Sequence, residues 1–523
     1  MKTFVLTFLS ALLFVLGQPN VLFEDGIFFL SFIALAPAFY AVEDSSVGKS
    51  FSSGTLFGLL SYSGICFWLF RYDHTLFFIA IISYSVLYGL CFLCMKLLAL
   101  CYPSFSFLSM ALVFCVMEYL KTLGPVGFSY GVIGYSQWKF RPLLMTASVA
   151  GVWLASCICV FFSALSAQAM VLYGKEKITK VALPFAVLIL FASAFVLIGW
   201  RISRSGQESK NITVVLVQNN ADSTKYSDTG YKQDIANLVA LSEEALSIFP
   251  EADFVVWPET AIVPPILYHY GSRTDTSRFN AVSSVLGLMV RSQACFIIGN
   301  QHIDESGEDC NAALVFDRRK KSIVPPKPEL YVKQHLVPFS EGLPFYSGFQ
   351  ALYDRIYPDK SFIWKAGNGS QVFSCRGIAF SVPICFEDTF GSLCSRFVKN
   401  GAECLFNISN DSWASSSVCQ RQHLAMSVFR AAENGVPVLR STASGVTCII
   451  DKDGRVLDEL NGFSQDFLGK KISVPIKKSR YPYTMYGDWF AWMELCALLT
   501  LSLSAGLKKL LKTVERLRRN KVK

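Results

Sequence analysis

Three short segments hold residues whose types and spacing could do chemistry. Val255-Val256-Trp257-Pro258-Glu259-Thr260 ends an apolar run in a carboxylate, and the proline just before it interrupts regular strand pairing. A glutamate at such a strand end, half out of water, can be tuned to act as a base. Tyr331-Val332-Lys333-Gln334-His335-Leu336-Val337-Pro338-Phe339-Ser340-Glu341 sets a lysine in apolar surroundings with a glutamate shortly after it. A fixed positive charge of this kind stabilises an oxyanion. Phe380-Ser381-Val382-Pro383-Ile384-Cys385-Phe386-Glu387-Asp388 delivers a cysteine from an apolar run into an acidic turn. A thiol beside a base is a strong nucleophile once it loses its proton. Taken singly, each has an ordinary explanation: a solvated turn carboxylate, a surface lysine, a core cysteine. Together, a base, a cation and a nucleophile are the equipment of covalent acyl chemistry.

The elements that must position them are short apolar runs alternating with amphipathic stretches. Strands are expected at Ile212–Gln218, Phe254–Trp257, Cys295–Gly299, Ala312–Phe316, Gly377–Cys385, Glu403–Ile408, Val436–Ser441 and Val446–Ile450. Helices are expected at Tyr231–Ile248, Thr276–Ser292 and Cys419–Asn434. Strands alternating with helices predict a layered α/β domain over residues 211–485.

The rest of the chain is of another kind. Of 523 residues 52% are hydrophobic and only 17% charged, against roughly 25% charged in a typical soluble domain. Mean hydropathy is +0.39. A membrane helix needs about 20 apolar residues. Spans are expected near 3–18, 26–42, 52–70, 75–95, 104–121, 146–173 and 181–200, which makes 1–200 a transmembrane region of about seven helices. A further span covers 489–507, and 508–523 is a basic tail. Lys2, Lys49, Lys96, the cluster Lys175/Lys177/Lys180 and the tail fall on one side of this arrangement, which the positive-inside rule makes cytoplasmic. The domain then lies on the far side. The net charge of +9 is concentrated in that tail, so it argues for a membrane anchor and against a nucleic-acid surface. The 16 cysteines form no paired zinc pattern, and the five histidines show no metal-ligand spacing, so no metal and no cofactor are expected.

Trp257-Pro258-Glu259, Lys333 and Cys385-Phe386-Glu387 resemble the Glu-Lys-Cys triad of the nitrilase (carbon–nitrogen hydrolase) superfamily. The match is closer to its membrane branch, the bacterial apolipoprotein N-acyltransferases, and covers essentially the whole chain. Trp257 to Ala261, Lys333-x-His-Leu-Val-Pro-Phe-x-Glu341 and Asn410-Asp411-x-Trp413 carry it. Arg430-Ala-x-Glu433-Asn-Gly-x-Pro437 and Arg440-x-x-x-x-Gly445-Val446 extend it. The resemblance implies an α-β-β-α nitrilase-like sandwich attached to a multi-span helical region. It implies Glu259 as base, Lys333 as oxyanion stabiliser and Cys385 as nucleophile, with Glu341 and Glu387 in support and Trp413 near the mouth of the site. Two positions depart from the family pattern. Phe386 stands where tyrosine is usual, and Ala414-Ser415 where Phe-Gly is common.

The implied reaction moves an acyl chain from a glycerophospholipid, through a Cys385 thioester, to the N-terminal amine of an S-diacylglyceryl-cysteine apolipoprotein. The implied location is the bacterial inner membrane with the domain in the periplasm. A membrane-tethered amidase with water as acceptor would use the same triad. A transporter would favour charged residues inside the spans, and few are present. The apolar loops 262–268 and 343–346 read either as lipid-contacting lids or as ordinary packed loops.

Overall fold

Short runs that are largely apolar and buried on both faces build both sheets of the polar part of the chain. The computed structural model describes residues 1–173, 179–204, 208–221, 230–357, 363–476 and 479–521. The chain divides into two units, one of residues 1–123, 128–200 and 488–523, the other of 124–127 and 201–487.

In the second unit the strands are β1 (Ser209–Gln218), β2 (Phe254–Val256), β3 (Cys295–Ile303), β4 (Asp309–Phe316), β5 (Glu329–Val332), β6 (Phe373–Cys375), β7 (Ile378–Ser381), β8 (Cys404–Ser409), β9 (Val438–Thr442), β10 (Cys448–Ile450), β11 (Val456–Glu459) and β12 (Asp466–Pro475). They form two six-stranded sheets, in the orders β12-β1-β2-β3-β4-β5 and β11-β10-β9-β8-β7-β6. Pairing is parallel within β1-β2-β3 and within β7-β8-β9. In the first sheet Val215, Val217, Val255, Phe296 and Ile298 pack with Ile235 and Leu238 of helix Gly230–Ile248 and with Val282, Val285 and Leu286 of helix Thr276–Arg291. The alternate residues face the second sheet: the Phe254 ring lies 5.5 Å from Phe380 and 5.1 Å from Phe406. Helix Ser417–Asn434 lies along the second sheet and is buried over almost its whole length. The layers are therefore helix, sheet, sheet, helix, as expected. Ser441 on β9 clips the two sheets together by donating to the carbonyls of Val217 and Val256 at 2.8 and 3.1 Å.

Each expected strand has its counterpart, but Gly377–Cys385 is shorter than expected. β7 stops at Ser381, and Cys385 opens a 3-10 turn, Cys385–Thr389. Pro383 cannot donate to a ladder, so the strand ends before it. Of the two candidate lid loops, the first is largely core, with Ile262 and Ile266 buried and Tyr268 exposed. Phe345 of the second is exposed.

Among the described residues five helices are long and apolar enough to cross a membrane: His74–Cys101, Pro103–Leu120, Arg141–Leu172, Val181–Ser203 and Trp489–Leu511. Residues 3–18 lie on the shorter helix Lys2–Gly17. Residues 26–42 are not one helix but a 3-10 turn, Phe28–Phe32, followed by helix Ala36–Glu43. Residues 52–70 fall on helix Val47–Ile65 and the short turn after it. Helix Val47–Ile65 presses on His74–Cys101 through Gly54 and Gly58, where an added Cβ would come within 2.2 Å of the Tyr88 carbonyl and 2.5 Å of the Tyr84 carbonyl. Small residues four apart are the usual means of close helix approach in a bilayer. Lys175, Lys177 and the side chain of Lys180 lie outside the described residues, as do the side chains from 514 onward.

Candidate active site

Glu259, Lys333 and Cys385 all follow the carboxyl ends of strands, where open α/β sheets bind their ligands. Glu259 comes after β2 and is almost fully buried. The backbone there is pressed close to β3: a Cβ on Gly299 would stand 2.2 Å from the Pro258 carbonyl, so only glycine fits. One oxygen of Glu259 accepts from Lys333 Nζ at 2.9 Å and from Asn311 Nδ2 at 2.7 Å. The other accepts from the Asn410 N–H at 2.9 Å.

Lys333 follows β5 and has no exposed surface. Its ammonium also donates to Glu341 at 2.8 Å, and Glu341 accepts from the Val337 N–H at 2.8 Å. Burial alone would lower the Lys333 pKa, but the charges of Glu259 and Glu341 outweigh it and hold the group well above its usual value. Lys333 is thus a permanent cation.

Cys385 has φ +50, in the left-handed region that non-glycine residues rarely adopt. Such strain marks functional sites when the surroundings enforce it. Glu387 does the enforcing. Its carboxylate accepts from the Ile384 N–H at 2.8 Å, the Gln334 N–H at 2.7 Å, the His335 N–H at 3.2 Å and the Tyr331 hydroxyl at 2.8 Å. One side chain thereby ties the segment carrying Lys333 to the turn carrying Cys385. Burial pushes its carboxyl up to about 7 against the pull of these donors. Burial, and then the Glu259 carboxylate, also raise the Cys385 thiol well above its usual range, with Lys333 opposing them. At rest the sulfur therefore keeps its proton, and a base has to remove it before the sulfur can attack. The site can deprotonate a thiol, hold a developing oxyanion against a fixed ammonium, and keep water from a buried sulfur.

The structure thus gathers Glu259, Lys333 and Glu341 into one hydrogen-bonded group that is electrostatically coupled to Cys385, with Glu387 bracing both segments. Trp413 lies half-buried in the 3-10 turn Ser412–Ala414, just past Asn410. Phe386 meets Phe390 edge-to-face, and the phenol that reaches Glu387 comes from Tyr331 instead. Ser415 takes a positive φ, the conformation for which glycine is the usual choice.

Sequence reasoning missed Asn311, Tyr331 and a buried ionic cluster behind the site. His423 bonds Asp388 at 2.6 Å and Asp411 at 3.0 Å, while Arg440 bonds Asp388 and Ser427. Burial would lower His423, but Asp388, with Asp411, carries it up to about 9. Burial works the other way on the two aspartates, and His423 and Arg440 overcome it to keep both below the usual carboxylate range. Asp388 and Asp411 directly follow Glu387 and Asn410, so this cluster anchors two of the segments that touch the triad. The motif residues Asp388, Asp411 and Arg440 were its trace in the sequence. Among the described residues one group has metal-ligand character, Cys115, Cys157 and Glu494 of the helical unit, with ligand atoms within 4.8 Å of one another.

Residues 213–474 match the family model described as carbon-nitrogen hydrolase, and residues 10–165 the one described as apolipoprotein N-acyltransferase N-terminal domain. The chain is 36% identical over 518 residues to "Apolipoprotein N-acyltransferase 1" of Treponema denticola, covering 95% of this chain and 94% of that protein. It is likewise 36% identical to "Apolipoprotein N-acyltransferase 1" of Treponema pallidum, covering 97% and 96%. Among solved structures, Saccharomyces cerevisiae Nit3, a member of branch 10 of the nitrilase superfamily, matches at 17% identity and a TM-score of 0.37, covering 50% of this chain and 90% of that one.

Proposed function

The chain belongs to the apolipoprotein N-acyltransferase family, and on that premise we propose how its own residues carry out the transfer. The protein is a membrane acyltransferase of lipoprotein N-acylation, so its partners are membrane lipids and a lipoprotein acceptor. In our reading the acyl donor is a glycerophospholipid. Glu259 takes the Cys385 proton as sulfur attacks the ester carbonyl, and Lys333 offsets the charge of the tetrahedral oxyanion. The intermediate expels a lysophospholipid alkoxide, which takes the proton from Glu259, and the acyl chain stays on sulfur as a thioester. The free α-amine of an S-diacylglyceryl cysteine then attacks the thioester. Glu259 accepts an amine proton and returns it to the departing Cys385, and an amide is formed. Glu341 and Glu387 hold the triad in place, and Trp413 borders the entrance.

The observation that carries this reading is the contact of Lys333 with Glu259 at 2.9 Å inside a buried site electrostatically coupled to Cys385. Exclusion of water protects a thioester that must wait for a second, lipid-anchored substrate. We place the protein in the bacterial inner membrane, with residues 211–485 in the periplasm and the tail 508–523 in the cytoplasm. The basic tail that follows the last apolar helix supports this orientation. The amidase alternative draws no support from the relatives.

The test is the intact mass of detergent-purified protein after incubation with phospholipid and no acceptor. Wild type is expected to gain one fatty-acyl mass that neutral hydroxylamine removes, and Cys385→Ala to gain none. Release of free fatty acid with no adduct on either protein would overturn the mechanism.

A further inference from the structure

Beside the turn that carries Cys385 runs β8, and two of its side chains reach that residue. An isolated parallel bridge pairs Ile384 with Ile408, and the Ile408 N–H donates to the Pro383 carbonyl at 3.3 Å. Asn407 donates from Nδ2 to the carbonyls of Pro383 and Cys385 at 3.2 and 3.3 Å. Ser409 stands two residues further along the strand and so lies on the same face. Its hydroxyl is within hydrogen-bonding reach of the Cys385 sulfur. It also donates to Asp411 Oδ1 at 3.1 Å. Ser409 has no exposed surface, so bulk water cannot stand in for it at the sulfur. The mechanism above gives this hydroxyl no part.

We propose that Ser409 is a further catalytic residue, whose hydroxyl turns from Asp411 to the Cys385 sulfur and stabilises the thiolate as it attacks and as it leaves. This rests on the acyl-transfer reading above. While the sulfur keeps its proton, the hydroxyl places its own proton on Asp411 and offers the thiol a lone pair. A thiolate needs a donor instead, and a hydroxyl proton rotates about its C–O bond to suit its partner. No proton is transferred in the turn: the thiol proton goes to Glu259 as before, and Ser409 keeps its own. The charged groups that act on the sulfur are Glu259, Lys333, Asp411 and Arg440. Two of them are carboxylates that oppose ionisation, and the Lys333 ammonium is already shared between Glu259 and Glu341. A hydrogen bond to an ionised acceptor is about twice as strong as a neutral one, so a hydroxyl at the sulfur offsets part of that opposition. Asp411 can release it because His423 stays at 3.0 Å and Arg440 at 3.6 Å. The second step depends on this bond most, because there the thiolate is the leaving group.

The experiment compares Ser409→Thr with Ser409→Val in the full chain in detergent. The two side chains have the same shape and differ in the hydroxyl, so a packing fault is common to both. Each protein is loaded with an acyl group from phospholipid, and the thioester is chased with an S-diacylglyceryl-cysteinyl peptide. Ser409→Val is expected to transfer about tenfold more slowly than Ser409→Thr, the effect of one lost hydrogen bond to a charged group. Alkylation of Cys385 by iodoacetamide, followed by mass on the peptide that holds it, is expected to be about threefold slower in Ser409→Val. The effect is smaller there because a more basic thiolate is scarcer but attacks faster. Alkylation needs no loading, so it decides the matter even where the added methyl of both variants impairs acyl uptake. Equal alkylation rates in the two variants would overturn the inference, since a hydroxyl that serves Asp411 alone leaves the sulfur unchanged. Failure of wild type to load would instead refute the acyl-transfer mechanism, and this inference with it.

Discussion

The Lys333 ammonium sits between the carboxylates of Glu259 and Glu341 with no exposure to water, so its removal leaves the two acids facing each other. Lys333→Met is expected to abolish thioester formation and to destabilise the domain by about 3–5 kcal/mol, the usual cost of breaking a buried ion pair from one side. A melting temperature equal to that of wild type would contradict the pairing. His423 gives a second test. Its folded pKa of about 9 lies above its ordinary value of 6.5, so its contribution is complete below about 6.5 and is lost as pH rises through 9. Unfolding measured across that window should show a decline in wild type that His423→Gln lacks. At this scale the sequence was legible where chemistry selects a residue type: Glu259, Lys333, Cys385, Glu341 and Glu387 are all in the site or bracing it. Asn311 and Tyr331 were not, because an amide or a phenol has many ordinary uses. Only the fold brings these two beside the acids.

Glu387 joins two elements that are far apart in the chain, the end of β5 and the turn after β7. Four donors converge on it, so an amide in its place must turn an NH2 toward another donor. Glu387→Gln is therefore expected to lower the rate of thioester formation at least tenfold and to cost about 1–3 kcal/mol of stability, although the triad residues remain. Wild-type rates in that variant would show that the Cys385 turn holds its own shape. The same scale explains what the sequence concealed. The strands missed are β5, β6, β11 and β12, and these are the four edges of the two sheets. An edge strand is covered on fewer sides and tolerates charge. β12 carries Lys470 and Lys471, and β5 begins at Glu329, so neither reads as an apolar run. The interior strands have neighbours on both sides and apolar sequences to match, which is why each of them was visible.

For the molecule as a whole, composition decides the solvent. Leu183, Leu190 and Leu197 on helix Thr179–Ser203 are 71%, 70% and 63% exposed, a surface that only lipid or detergent can cover. The proposed orientation is tested by single cysteines at two exposed positions, Glu251→Cys in the domain and Lys509→Cys in the last helix. A membrane-impermeant maleimide applied to spheroplasts should label the first at once and the second only after lysis. Labelling of both, or of the second alone, would reverse or refute the assignment.

The left-handed backbone at Cys385 has a consequence for selection. Glycine takes that conformation freely, whereas cysteine is held there at a cost of about 1 kcal/mol. The backbone would therefore be less strained at this position without its proposed nucleophile. A population screened only for expression or heat resistance would drift toward Cys385→Gly and similar changes. It would yield sturdier proteins that cannot turn over, so a thermostable form of this enzyme has to be sought under pressure for activity.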